Sequence, residues 1–330
     1  MKAAFIQETG PAEKITYGDL PVPEPMGSQV RVKVGAVSVN PIDTYIRAGL
    51  VQFNLPVPFI VGCDVAGVVE AVGPEVKRLK PGQRVWGSNQ GVLGRQGTFA
   101  EEVVVDETWL YLTPDDVSDE EAAAVALVGI TAHLGLFREA KLQAGETIFI
   151  RGGTGGVGSM VVQMAKAAGA RVITTAGSPE KAELANDLGA DHVIQYRTQK
   201  LEDDLKKLAP AGVQVWWETL REPDFDLAVG NLASRGRMLL MAGREARPPF
   251  PVGPFYVKGC SLHGFVMFAA HPDEQRQCAV DINRWLSEGK LQARIDRVMP
   301  LSQTAEAHRL QEESTVQKSG ALSGKIVLKP

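Results

Sequence analysis

The sequence predicts an α/β fold in which a doubly wound parallel sheet interrupts a β-rich domain, and three observations carry that reading. The N-terminal part alternates short β-branched runs with Pro and Gly, the texture of strands separated by tight turns. From Thr147 to Gly243, strand-length apolar runs alternate with helical ones, the period of a parallel sheet covered on both faces. A glycine cluster, GGTGGVGSM from Gly152 to Met160, falls where the first of those strands gives way to the first helix.

Taken in order, KAAFIQET, QVRVKVGAVSVN, DVAGVVEAVG, QRVWG and FAEEVVVD read as strands. At Asp119 the texture changes to DEEAAAVALVGITAHLGLF, an Ala- and Leu-rich helix with acidic residues in its first turn, which places a domain boundary there. TIFIRGG, RVITTAG, HVIQY, VQVWW and RMLLMAG then read as strands, and SMVVQMAKAAGA, PEKAELANDLGA and FDLAVGNLA as the helices between them. A helical PDEQRQCAVDINRWLSEGK, a strand ARIDRVMPL, a helix SQTAEAHRLQEE and a closing strand GKIVLKP complete the chain.

Composition narrows the functional classes. With 330 residues, 44% of them hydrophobic, the chain exceeds the roughly 250 to 300 residues at which a single core usually divides, so two domains are expected. A net charge of -4, with 22% charged residues of mixed sign and no basic block, speaks against a nucleic-acid partner. Cys63, Cys260 and Cys278 are too few and too far apart for a disulfide framework or a CxxC knuckle, which fits a reducing cytoplasm. No apolar run reaches the roughly 18 residues of a membrane span, so no membrane partner is expected.

Gly153, Gly155 and Gly158 fit GxGxxG between a strand and a helix, the setting in which the pattern binds a dinucleotide. The first glycine permits the tight turn, the second admits a pyrophosphate, and the third lets helix and strand pack; Gly156 and Val157 open the helix, whose N-terminal amides favour an anion. The alternative is a tight turn with nothing bound. The acidic residue that would bind a ribose diol at the end of the second strand is missing, and Gly177 stands in its place. Ser178 and Lys181 beside it are therefore expected to bind a 2′-phosphate, which favours NADP(H) over NAD(H).

NPIDTYIRAG (Asn40 to Gly49), GCDVAGVVEAVGPEVKRLKPGQRVWG (Gly62 to Gly87), GTFAEEVVV, GITA, GGVG and the terminal GKIVL occur in an order that resembles the quinone oxidoreductase branch of the medium-chain dehydrogenase/reductase superfamily. The resemblance implies a GroES-like domain built from both chain ends (1–120 and 269–330), a Rossmann cofactor domain between them (121–268), and a nicotinamide in the cleft. It implies NADPH-dependent, zinc-independent hydride transfer to a quinone or conjugated carbonyl in a homodimer paired through the VKGCSLHGF edge. The alternatives are an enoyl-thioester or alkenal double-bond reductase, and a dinucleotide-binding protein with a non-catalytic role.

Residue by residue, the resemblance places Asn40 and Tyr45 at the reacting oxygen, Tyr45 either as a hydrogen-bond donor or only as packing, and reads Asp43 with Arg47 as a possible ion pair bracing that loop. It places Thr131, Gly243 and Phe265 near the nicotinamide end of the cofactor, Tyr196 at the adenine, and Lys325 as a further cofactor residue. Zinc-dependent relatives carry Cys, His and Glu in the segments where this chain has Asn40, Cys63 and Asp64, so no metal is expected. Two positions depart from the family pattern. Arg221 and Arg244 stand after the fourth and fifth Rossmann strands, where relatives use small residues, and either guanidinium suits a pyrophosphate or an acidic substrate group.

Overall fold

Alternating Val, Ile and Ala positions give the N-terminal runs one face to bury, and in the computed structural model, which describes residues 1–316 and 322–330, they form strands. In chain order these are β1 (Lys2–Ile6), β2 (Thr16–Asp19) and β3 (Gln29–Ser38), followed after helix α1 (Pro41–Arg47) by β4 (Phe59–Ile60), β5 (Val65–Val72), β6 (Arg84–Gly87), β7 (Glu102–Asp106) and β8 (Leu110–Leu112). β2, β1 and β4 make a small antiparallel sheet. Helix α2 (Asp119–His133) follows and runs on as a π-helical segment, Leu134–Glu139, a change of winding that the sequence does not announce. Asp119–Glu139 is also longer and more apolar than the sequence reading allowed: its 21 residues reach the length and hydropathy of a membrane span. Its most apolar window is 83% buried inside the fold, as in a core helix.

The next stretch alternates strictly: β9 (Thr147–Ile150), α3 (Gly156–Ala167), β10 (Arg171–Ala176), α4 (Pro179–Asp187), β11 (His192–Gln195), α5 (Leu201–Leu208), β12 (Val213–Glu218), α6 (Phe225–Asn231), β13 (Leu232–Leu240), α7 (Val252–Val257) and β14 (Ser261–Gly264). All six strands pair in parallel in the order β11-β10-β9-β12-β13-β14. In order of appearance this is 3-2-1-4-5-6, the Rossmann winding, whose direction reverses beside β9. Phe149, Ile173, Trp216 and Met238 lie at 0–1% exposure in the core of this sheet, each worth about 1.5 to 3 kcal/mol of burial. β13 begins at Leu232, earlier than the apolar run RMLLMAG implies; Arg235, at φ 60, and a register shift against β12 mark an irregular first half that the pattern hides.

The chain then returns through α8 (Pro272–Ser287), β15 (Ile295–Pro300), α9 (Thr304–Thr315) and β16 (Lys325–Lys329). β16 pairs antiparallel with β3 and parallel with β15, completing a sheet ordered β15-β16-β3-β5-β6-β8 in which β7 also pairs with β3. One unit thus comprises residues 1–128 with 271–330, built from both chain ends as in a GroES-like domain, and the other, 129–270, is the Rossmann unit. The fold is α/β with the Rossmann sheet inserted in the β-rich domain.

Candidate active site

The turn between β9 and α3 separates the duties of its glycines. A Cβ on Gly153 would drive into the Thr174 side chain, and one on Gly158 would collide with the Gly152 carbonyl, so packing alone demands both glycines. Gly155 differs: the nearest atom to its missing Cβ is 3.6 Å away, and its φ of -76° suits any residue. No neighbouring atom and no backbone strain requires a glycine there. The helix it caps has no side-chain hydrogen bond at its N-terminus, so the amides of Gly156, Val157 and Gly158 begin α3 without a side-chain acceptor. Thr174 and Thr175 brace the loop from β10 by accepting the amides of Gly153 and Gly152, each at 3.0 Å.

At the end of β10, Gly177 lies under Tyr196, whose phenol occupies the space that a side chain would need. A side chain at this position would have to displace the half-exposed Tyr196 phenol. Ser178 caps α4: its hydroxyl accepts the Lys181 amide at 3.3 Å and also donates to Glu180, which lowers that carboxyl's pKa. Ser178, Lys181 and half-exposed Tyr196 thus lie beside β10 and β11, together with the exposed Glu180.

The C-terminal ends of the next strands gather the remaining Rossmann candidates. Thr219 donates to the Arg151 carbonyl at 2.6 Å, tying the turn after β12 to the one after β9. Glu218 is buried, and burial raises its carboxyl pKa while the Leu220 amide and the Arg151 charge act against the rise. Gly243, at φ 84, packs so closely on the Arg221 carbonyl that no side chain fits, so the loops bearing Arg221 and Arg244 touch. Phe265 follows β14 and stands edge-on to Trp217 at 6.1 Å. Thr131 is 5% exposed on α2.

In the GroES-like unit, Asn40, expected at the reacting oxygen, is fully buried at the start of α1, donating to Asp64 at 2.7 Å and to the Ser38 carbonyl at 3.3 Å, while its oxygen accepts from Lys325. Lys325, expected as a cofactor residue, is likewise buried: its ammonium donates to the Val39 carbonyl at 2.8 Å and lies 4.0 Å from Asp64. Burial drives both to this solution, because an amide and an ammonium out of water must find partners. Asp43 completes the capping box with Asn40 rather than pairing with Arg47, which is itself buried and binds Glu312 and the Gly10 carbonyl. Burial lifts the Asp43 carboxyl to about 7, raises Asp64, pushes the Cys63 thiol well up and lowers Lys325. Tyr45 lies half-buried on the same helix.

A six-stranded Rossmann sheet with a ligand-admitting glycine turn, set in a GroES-like unit, defines a dinucleotide-dependent dehydrogenase or reductase. Residues 27–115 match the alcohol dehydrogenase GroES-like domain model and residues 156–283 the zinc-binding dehydrogenase model. The quinone oxidoreductase of Sus scrofa is 33% identical over 97% of this chain and 94% of its own length. Among solved structures, an NAD-dependent alcohol dehydrogenase superposes with a TM-score of 0.89 at 31% identity over all of both chains. The Escherichia coli quinone oxidoreductase complexed with NADPH does so with 0.86 at 26%, also over all of both. The chain belongs to the quinone oxidoreductase branch of the medium-chain dehydrogenase/reductase superfamily.

The zinc in one family name can be tested on the side chains. A catalytic zinc takes three protein ligands and one open position. Among the described residues no three His, Cys, Asp or Glu side chains are arranged to hold a metal ion. Asn40 is saturated by its neighbours, and an ammonium already sits against Asp64. The residues present do not fit zinc.

Proposed function

We propose that this protein uses NADPH to reduce a quinone or a related conjugated carbonyl and works without zinc, as a cytoplasmic homodimer. The observation that carries the reading is the open Cβ position of Gly155 in an uncapped turn of the Rossmann sheet. The amides of Gly156, Val157 and Gly158 hold the pyrophosphate, Ser178 and Lys181 the 2′-phosphate, and Tyr196 flanks the adenine. Thr131, Gly243 and Phe265 border the nicotinamide end, and Arg244 or Arg221 supplies a guanidinium to the pyrophosphate or to an acidic substrate. The bound dinucleotide supplies the hydride. With no metal to polarise the acceptor, hydrogen bonds must stabilise the negative charge that develops on its oxygen, and the Tyr45 phenol is the donor assigned to it.

The Glu180 carboxylate beside Ser178, together with the NAD-dependent relative among the structures, supports a second reading in which NADH serves. Oxidation of NADPH and of NADH, followed by absorbance with a panel of quinones and enones in strong chelator, tests both. NADPH consumption that persists in chelator is expected. Lys181→Ala should weaken NADPH by about 10- to 100-fold, the worth of one charged hydrogen bond, and leave NADH little changed. Turnover with NADH alone moves the assignment to the second reading; no turnover with any acceptor, or activity lost with one equivalent of metal, refutes the function.

A further inference from the structure

We propose that Thr219 is a positioning residue for the dinucleotide, its hydroxyl holding the β9–α3 turn in the shape that receives a pyrophosphate; the inference rests on the NADPH reading above. β9 and β12 are neighbours at the point where the sheet reverses direction, and they end together. Ile150 pairs with Trp217, and the Arg151 amide donates to the Trp217 carbonyl at 3.0 Å. Just past β12, the Thr219 hydroxyl donates to the Arg151 carbonyl at 2.6 Å, so both backbone groups of Arg151 are tied to one side. Glu218, 1% exposed, accepts the Leu220 amide at 2.9 Å and the Trp216 indole N–H at 3.2 Å, which anchors the turn that carries Thr219.

The constraint passes into the glycines. Gly152 stands at φ 75, and the Thr219 oxygen lies 3.1 Å from the place of its missing Cβ. Thr175 holds the Gly152 amide from β10, on the other side of β9. Gly152 is thus gripped from two strands at once. Its carbonyl accepts the Gly155 amide at 3.2 Å and lies where a Cβ on Gly158 would fall, so its position sets where α3 begins. Amides aimed before an anion arrives spare the cost of ordering the turn on binding. A hydroxyl that acts through the turn therefore contributes to the affinity for any dinucleotide, whichever ribose it carries. Lys181, assigned to the 2′-phosphate, differs in that respect.

Thr219→Val removes the hydroxyl at almost constant volume, and Thr219→Ser keeps it. In a fluorescence titration, Thr219→Val should weaken NADPH and NADH by the same factor, about 3- to 10-fold, the worth of one neutral hydrogen bond. Thr219→Ser should bind within about twofold of the unaltered protein, and turnover at saturating NADPH should be unchanged in both. Lys181→Ala, measured alongside, should weaken NADPH alone. Hydrogen exchange in the nucleotide-free protein reads the turn without the cofactor: the Gly155 amide should exchange about 3- to 10-fold faster in Thr219→Val. If Thr219→Val does not fold, Thr219→Ala takes its place. A folded variant without the hydroxyl that binds both dinucleotides as the unaltered protein does, or that loses NADPH alone, overturns the inference. So does a Thr219→Ser that binds no better than Thr219→Val, or an unchanged Gly155 exchange. If the unaltered protein binds neither dinucleotide, the NADPH reading fails, and the Gly155 exchange still decides whether Thr219 positions the turn.

Discussion

Burial holds the His308 imidazole down to a pKa of about 3, with the Arg47 guanidinium acting in the same direction. The ring is fully buried, edge-on to Phe99 at 6.1 Å, and neither nitrogen has a hydrogen-bond partner. Because its folded pKa lies below the unfolded value near 6.5, the unfolded chain takes up a proton that the native state refuses as pH falls from about 6.5 to about 3. Stability is lost over that window, at about 1.4 kcal/mol per pH unit from this group. Asp43 works the other way: its carboxyl, lifted to about 7, keeps its proton in the native state, so stability falls as pH rises from about 4 to about 7. The two slopes oppose each other in the unaltered protein. His308→Leu should therefore lose stability on alkalinisation from pH 4 to 7 where the parent changes little, measured by urea unfolding across that range. Parallel pH profiles for the two proteins would show that His308 does not titrate as described.

At the scale of elements, packing accounts for Gly153 and Gly158 of the β9–α3 turn, and the proposed pyrophosphate site for Gly155. Gly155→Ala meets no atom nearer than 3.6 Å and keeps an allowed φ, so it should melt within a degree or two of the parent while binding NADPH at least about 10-fold more weakly. Gly158→Ala forces a Cβ onto a backbone carbonyl and should cost about 1 to 3 kcal/mol of stability. Calorimetry with a fluorescence titration of NADPH separates the two, and a Gly155→Ala protein that binds as the parent does removes the ligand-based reason for this glycine. The turn was legible in the sequence because its signals are local: a strand, a glycine spacing and an amphipathic helix lie within one short window. The cluster around Lys325 was not, because Asn40 and Lys325 are 285 residues apart and meet only through the β3–β16 pairing. Read singly, neither reveals the other as its partner. Arg47 misled in the same way, since Asp43 lies one helical turn before it and its actual partner, Glu312, lies 265 residues away. The π-helical end of α2 and the irregular start of β13 depend on packing that no short window contains.

At the scale of the whole molecule, the Rossmann sheet ends at β14, and no described strand pairs with that strand's outer side. Unpaired edges invite association unless they are charged, bent or covered. Here the neighbouring surface is apolar instead: Leu262 and Val266 are 39% and 52% exposed, and α7 shows Val252, Tyr256 and Val257 at 63%, 70% and 75%. α7 buries none of its own residues, and Lys258 just after it directs its ammonium to the carbonyls of Val229, Gly230 and Leu232. A second copy related by a two-fold axis would place β14 antiparallel to its twin, extend the sheet across the interface, and cover both copies of α7 with the same self-complementary surface. A stable interface of this kind needs upwards of about 1,000 Å² of buried surface, which one short strand cannot supply without the helix beside it. Size-exclusion chromatography with light scattering should therefore give a dimer for the unaltered protein at micromolar concentration. Val257→Asp/Leu262→Lys, which charges both the helix and the strand, should elute as a folded monomer that still binds NADPH, because neither residue lies at the β9–α3 turn. A monomeric parent, or a double variant that remains dimeric, would exclude this edge as the interface.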